Sequence, residues 1–217
     1  MSEMKETNSR VVIIGAGIGG VRVAQVLADK DVDVTIIDRN NYQLFPPLLY
    51  QVSTAVLAES EIAYPVREFF RDYPNVNFFL GEVQDFDTDS KKVITDNGVV
   101  EYDYLIVAAG ATTNYFGMEA VERHSFPMKT MTEAIAIRNQ IISCLERAEQ
   151  EPDAAKRREL LTFICVGGGP TGVEEAGAIS ELIYQSMRRD YHKLNFDEVD
   201  IKLMEGTDRV LAMMPEK

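Results

Sequence analysis

Basic charge is scarce in this chain. Its 217 residues carry 22 lysines and arginines against 35 acids, for a formal net charge of −13 and a pI near 4.6. A nucleic-acid backbone needs a basic face, so a nucleic-acid partner is not expected. The same deficit argues against a polybasic or basic amphipathic membrane anchor within this stretch. Cysteine is nearly missing: Cys144 and Cys165 form no CxxC pair and no zinc spacing. Cys165 lies in the apolar run FICV and reads as a small core residue, which suits a reducing, cytoplasmic setting. His124 and His192 have no partners at ligand spacing, so they read as surface residues and no metal is expected. Long hydrophobic runs are lacking too. VVIIGAGIGGV is broken by glycines and stops at Arg22, too short to cross a bilayer. The start, MSEMKETNSR, is polar and mixed in charge, so residues 1–9 read as a loose tail and not as a signal peptide.

Enough apolar residues remain, 46% of the chain, to build a sizeable core. Val11, Val12, Ile13 and Ile14 form a run apolar on both faces, as a central parallel strand requires. A glycine turn follows, then the amphipathic helix VRVAQVLADKD and the strand DVTIIDR. Residues 42–70 are rich in proline and aromatics and not cleanly periodic, which predicts a packed functional loop with short helices. VNFFLGEVQDFDTDSKKVITDNGVVEYDYLIVAAG reads as a β-meander closed by an apolar strand. The chain then restarts. TMTEAIAIRNQIISCLERAEQEPDAAKRREL reads as helix, with Thr130 or Thr132 as N-cap before Glu133. LLTFICV is a strand, GGGPTG a turn, VEEAGAISELIYQSMRR a helix and VDIKLME a strand. The sole internal repeat is this strand–turn–helix–strand unit, seen once towards each end.

Each unit carries a glycine fingerprint. The first is Gly15-x-Gly17-x-x-Gly20, with Gly19 inside it. The first glycine permits the turn, the second lets backbone approach a pyrophosphate, and the third lets helix and strand pack closely. The helix N-terminus offers free N–H groups to the anion. Asp38, at the tip of the next strand, stands where an acid meets an adenosine ribose. The second fingerprint is Gly167-x-Gly169-x-x-Gly172, with Pro170 in the first helical turn and Glu205 in the ribose position. The spacing does not say which dinucleotide binds where. Two such sites on one chain make sense if one cofactor reduces the other, with a flavin as the relay. The expected division is residues 1–112 for the first fold and 113–217 for the second.

Four pieces of sequence carry a family likeness: VVIIGAGIGG, FPPLLYQVSTAVLAESEIAYPVR, YDYLIVAAGATTNYFG and VGGGPTGVEEAGAISEL. Together they make the chain resemble the type II NADH:quinone oxidoreductases, the single-subunit, non-proton-pumping NADH dehydrogenases. The second piece is the most particular to that family; the others occur loosely in many two-dinucleotide flavoproteins. The resemblance implies an α/β protein with two Rossmann-like folds of the pyridine nucleotide-disulfide reductase kind, both incomplete here. It implies FAD in the first fold and NADH in the second. On it, Gly15, Gly17, Gly19 and Gly20 lie at the FAD pyrophosphate, Asp38 and Arg39 by the ribose, Val83 by the adenine and Gly110 near the FAD crossover. The PPLLYQVST run lies along the flavin with Gln51 as a polar contact. Gly167, Gly169 and Gly172 face the NADH pyrophosphate and Glu205 its ribose, while Glu174 falls where the family has a glutamate near nicotinamide and flavin. Glu175 departs from the small or aromatic residue usual after it.

Family members run to roughly twice this length, so the resemblance also implies an N-terminal portion that by itself turns over no quinone, holds FAD weakly or not at all, and is mobile over residues 190–217. The later part of such proteins completes both folds and supplies the quinone pocket and membrane-docking helices. The parent enzyme would pass electrons from NADH through FAD to a quinone on the cytoplasmic face of the inner membrane, with a homodimer allowed. Two alternatives stand beside this: another flavoprotein reductase on the same scaffold, of sulfide:quinone or ferredoxin type, and an inactive nucleotide-binding fragment. A disulfide reductase needs paired redox cysteines, which Cys144 and Cys165 are badly placed to be. Plainer readings also stand beside the site residues. Glu174 in an early helical turn is stabilised by the helix dipole whatever else it does. Lys156, Arg157 and Arg158 read as a solvated turn. The aromatics around Pro46 and Pro47 serve equally as core or as cofactor lining.

Overall fold

The computed structural model of the chain describes residues 8–215; most of the tail expected over residues 1–9 lies outside them, and Ser9 already opens a strand. In chain order the regular elements are β1 (Ser9–Ile14), α1 (Ile18–Leu27), β2 (Val32–Asp38), β3 (Tyr42–Leu44), α2 (Leu49–Ser53), β4 (Ala63–Pro65) and α3 (Val66–Phe69). Then come β5 (Val76–Leu80), β6 (Val83–Asp87), β7 (Lys92–Thr95), β8 (Gly98–Glu101) and β9 (Tyr104–Val107). The remainder holds α4 (Glu119–His124), α5 (Met131–Gln150), α6 (Ala154–Leu160), β10 (Thr162–Val166), α7 (Pro170–Glu181) and β11 (Asp200–Met204). The chain divides into two compact units, Met1–Phe45 with Ala63–Thr112, and Pro46–Ile62 with Thr113–Lys217.

The first unit is built on a four-stranded parallel sheet in the order β5-β2-β1-β9. The run at β1 is apolar throughout because both its faces are covered. Val11 and Ile13 point into a core shared with Val21 and Ala24 of α1 and with Val34 and Ile36 of β2. Val12 and Ile14 point the other way, against Val93 and Tyr102. That second layer is the antiparallel sheet β6-β7-β8. The sequence reading needs a correction here: VNFFL is not the first strand of the meander. As β5 it pairs in parallel with β2, Val34 opposite Val76, and buries Val76 and Phe78 in the core on the α1 side. Only β6 to β8 form the meander, and β9 returns to the main sheet.

The second unit holds a two-stranded parallel sheet, β10-β11, with α5, α6 and α7 around it. Thr130 caps α5 through a capping box: its Oγ1 accepts from Glu133 N at 3.3 Å, and Glu133 Oε2 accepts from Thr130 N at 2.9 Å. The single long helix expected over this region is two. Pro152 forces the preceding residue out of the helical well, and Glu151 accordingly takes ψ 114° at the end of α5. Asp153 then caps α6 by accepting from Ala155 N at 2.8 Å. After α7 the backbone widens into a π-type turn, Leu182–Ser186, that delivers Leu182 and Ile183 to the core with Ile179, Leu145 and Phe163. β11 and the short 3-10 turn before it, Phe196–Glu198, occupy the stretch expected to be mobile.

Pro46–Ile62 belongs with this second unit, although it was expected in the first fold. Its α2 buries Leu49, Val52 and Ser53 against α5 and α7. At the other end of the segment Glu59 pairs with Arg138 of α5 at 3.3 Å. No helix among the described residues is long and apolar enough to cross a membrane.

Candidate dinucleotide sites

The two glycine turns have nearly the same geometry. In the first unit Gly15 takes φ +103° and its N–H donates to Ile37 O at 2.8 Å, fastening the turn to the end of β2. A Cβ on Gly20 would sit 1.9 Å from Gly15 O, so only glycine lets α1 start this close to β1. Gly17, the α1 N-cap, and Gly19 face open space: a Cβ on either would meet nothing within 4 Å. In the second unit Gly167 takes φ +109° and donates to Met204 O at 2.8 Å, and a Cβ on Gly172 would lie 1.9 Å from Gly167 O. Gly169 caps α7 with open space at its Cα, and Pro170 occupies the first helical turn. Each turn therefore presents bare backbone at the N-terminus of a helix of ten or twelve residues.

The strand-end acids repeat the same relation. Asp38 Oδ2 accepts from Ala16 N at 2.7 Å and its Oδ1 accepts from Asn40 N at 2.8 Å. Glu205 Oε2 accepts from Gly168 N at 2.6 Å and its Oε1 accepts from Thr207 N at 3.0 Å. Each acid thus braces the amide that follows the first glycine of its own turn. The Gly168 amide, with Thr207 behind it, holds the Glu205 carboxyl below the usual range, so it is a carboxylate across the physiological range. Carboxylate oxygens accept more than one hydrogen bond each, and these tethers leave lone pairs for hydroxyl donors.

The other candidates fall as follows. Arg39 is exposed and pairs with Glu82 at 3.4 Å. Val83 is half-buried at the start of β6, and Gly110 takes φ +77° just after β9. Gln51 lies on α2 in the second unit, its Nε2 donating to Tyr50 Oη at 2.9 Å. Glu174 is exposed on α7, whereas Glu175 is 7% exposed. Ser53 Oγ donates to Glu175 Oε2 at 2.7 Å, with Oε1 at 3.0 Å. Burial pushes the Glu175 carboxyl up to about 7, against the pull of the Ser53 hydroxyl.

The sequence reading missed the Ser53–Glu175 pair. Helical spacing held the signal, because Glu175 shares a stripe with Ala178, Ile179 and Leu182, all buried. The two cysteines are free: burial raises both thiols, Cys165 to about 11. No group of His, Cys, Asp and Glu among the described residues is arranged to hold a metal ion.

Two strand–turn–helix–strand units, each with a glycine cradle braced by an acid, define a two-dinucleotide α/β protein. The chain belongs to the pyridine nucleotide-disulphide oxidoreductase family, whose description matches residues 9–217. It is 40% identical over 212 residues to a type II NADH:quinone oxidoreductase of Mycobacterium tuberculosis, a match covering 96% of this chain and 46% of the relative. An external alternative NAD(P)H-ubiquinone oxidoreductase of Arabidopsis thaliana mitochondria is 31% identical, over 99% of this chain and 39% of its own length. Among solved structures, NDH2 of Plasmodium falciparum in complex with NADH superposes with a TM-score of 0.86 at 28% identity, over 96% of this chain and 44% of that one. The chain thus spans about half the length of the curated relatives it matches, 46% and 45% for the two mycobacterial ones.

Proposed function

We propose that this chain forms the dinucleotide-handling part of an FAD-dependent NADH:quinone oxidoreductase, with FAD at the first glycine turn and NADH at the second. The observation that carries the reading is the duplicated cradle: open backbone at Gly17, Gly19 and Gly169, at the N-termini of α1 and α7, with an acid behind each turn. These cradles fit the pyrophosphates of two dinucleotides, because a Cβ there would occupy the space the anion needs. Bound FAD supplies the chemistry of accepting a hydride and releasing two electrons. The protein's part is orientation and charge. Gly15, Gly17, Gly19 and Gly20 hold one pyrophosphate, and Asp38 and Arg39 stand by its ribose. Val83 stands by the adenine and Gly110 by the crossover.

In the second unit Gly167, Gly169 and Gly172 hold the other pyrophosphate, and Glu205 accepts from ribose hydroxyls. The same carboxylate repels a 2′-phosphate, which selects NADH over NADPH. Glu174, exposed in the first turns of α7, is the acid available to a nicotinamide ring, and the family resemblance sets Gln51 and the segment beyond Pro46 against a flavin. The names of the relatives support a quinone as acceptor.

A sulfide:quinone oxidoreductase from Aquifex aeolicus is also similar, at 25% identity and a TM-score of 0.57 over 73% of this chain. Within these residues the thiols do not favour chemistry of that kind, because Cys144 and Cys165 are unpaired and burial raises both pKa values. The test is anaerobic addition of NADH to the flavin-loaded enzyme that contains this sequence. Flavin absorbance should bleach near-stoichiometrically with NADH in the absence of quinone, should not bleach when sulfide replaces NADH, and should recover when quinone, but not ferredoxin, is offered. Absence of bleaching rejects the assignment.

A further inference from the structure

The buried pair Ser53–Glu175 lies outside the two glycine turns and their bracing acids, and its atoms are short of one hydrogen when the acid is ionised. Ser53 Oγ lies 2.7 and 3.0 Å from the two Glu175 oxygens and 2.9 Å from Tyr50 O. Tyr50 O also accepts from Thr54 Oγ1 at 2.7 Å. With Glu175 ionised, the single hydroxyl hydrogen of Ser53 is shared between a buried carboxylate and a part-buried carbonyl. With Glu175 neutral, its O–H donates to Ser53 Oγ and the Ser53 O–H donates to Tyr50 O, so every group is satisfied. The packing therefore suits the protonated acid, and a charge formed in place has one hydroxyl to stabilise it.

The pair joins two elements of one unit, α7, which opens on the GGGPTG turn, and α2, which heads the segment Pro46–Ile62. We propose that Ser53 and Glu175 are a positioning pair: neutral Glu175 fastens the segment Pro46–Ile62 onto α7, and its ionisation loosens that segment. The consequence for catalysis rests on the reading that this segment lines the flavin; the clasp itself does not. The surroundings leave Glu175 as the group that titrates. On β10 the neighbouring thiol, Cys165, is held near 11 by burial first and by Glu175 second, so it keeps its proton throughout. On α2 the contacting groups are the Ser53 hydroxyl and the Tyr50 carbonyl, and on α7 Glu174 is exposed. On α5 the charge recorded against the segment is Arg138, engaged by Glu59 at 3.3 Å, which keeps the far end anchored when the near end lets go.

The clasp is tested on the 217-residue chain by hydrogen exchange at pH 5 and pH 8, with rates corrected for intrinsic chemistry. The amides of Val56 and Leu57, which donate to Gln51 O at 2.7 and 3.0 Å, report on the segment. Their protection should fall about tenfold or more from pH 5 to pH 8 in the wild type. It should stay flat in Glu175→Gln, whose amide still donates to Ser53 but cannot ionise. In Glu181→Gln, an exposed acid on the same helix, it should fall as in the wild type. Ser53→Ala removes the partner through which neutral Glu175 holds the segment, so protection should already be low at pH 5 and fall little further by pH 8. Protection equal at both pH values in the wild type, a retained fall in Glu175→Gln, or a fall of wild-type size in Ser53→Ala overturns the proposal. In the flavin-loaded enzyme the flavin spectrum should follow the same midpoint. Exchange that responds while the flavin does not leaves the clasp standing and rejects the flavin-lining role of the segment.

Discussion

The glycine turns of the two units match almost bond for bond, yet they are walled differently. At Gly15 a Cβ would meet Ala108 O at 2.3 Å, just beyond β9, which pairs with β1. At Gly167 a Cβ would meet nothing within 4 Å. The positive φ is the same in kind, +103° and +109°, so the backbone conformation belongs to the fingerprint and the wall belongs to the surrounding sheet. The common part is what a pyrophosphate needs: bare amides, a helix N-terminus and an acid to brace the loop. The difference says that the first turn is also a packing joint, whereas the second is held mainly by its own strand, helix and acid.

The sharpest way to break that comparison is to add a methyl group at both positions. Gly15→Ala combines a disfavoured φ with collision against backbone that cannot move aside, and is expected to lower stability by about 3 kcal/mol or more. Gly167→Ala suffers the φ penalty alone, about 1–2 kcal/mol. Denaturant unfolding of the two variants side by side checks this; equal losses would mean that β9 does not wall the first turn.

A second contrast concerns the acids, since one unit also contains a buried one. Glu175 holds its proton to about 7, against an ordinary 4.5 in the unfolded chain. Between these values the folded state binds more protons than the unfolded state, so stability falls as pH rises through that window and levels off above it. The full loss is about 3 kcal/mol. Melting curves from pH 4 to pH 8 should show the decline, and Glu175→Gln should flatten it. Glu205 runs the other way. Its folded pKa is lowered, so its contribution is present above the ordinary value and is lost as pH falls through the folded one. In the enzyme, Glu205→Gln should also narrow the preference for NADH over NADPH about tenfold or more, read as the ratio of kcat/KM values. A wild type that already uses both cofactors equally would remove that role.

The smallest expected effect lies on the surface of the first unit. Arg10 meets Glu101 at 2.9 Å and Asp103 at 3.3 Å with all three side chains well exposed, so Arg10→Ala should cost less than about 1 kcal/mol.

Local periodicity made the two cradles legible, because Val11 to Ile14, the glycines and the strand-end acids all lie within short windows. Partners across long stretches were less legible. VNFFL shows a strand but not that β2 is its neighbour. The division at residue 46 was hidden because nothing local says that Leu49 and Val52 pack on helices far along the chain. Pro152 marks the break between α5 and α6 in the sequence itself, although helix-forming residues lie on both sides of it. Glu175 was obscured by its neighbour: the family resemblance points to Glu174, while the helical stripe through Ala178 and Ile179 turns Glu175 inward.

The central claim is that the two turns hold different dinucleotides, one reducing the other. Anaerobic titration of the flavin-loaded enzyme with NADH, beside a Gly17→Leu variant in the first cradle and a Gly169→Leu variant in the second, tests it most directly. Each new side chain fills space that is open in the structure. The account predicts that Gly17→Leu purifies without flavin, and that Gly169→Leu keeps its flavin but no longer bleaches with NADH. A Gly17→Leu protein that retains flavin, or a Gly169→Leu protein that loses it and keeps NADH binding, would contradict the assignment.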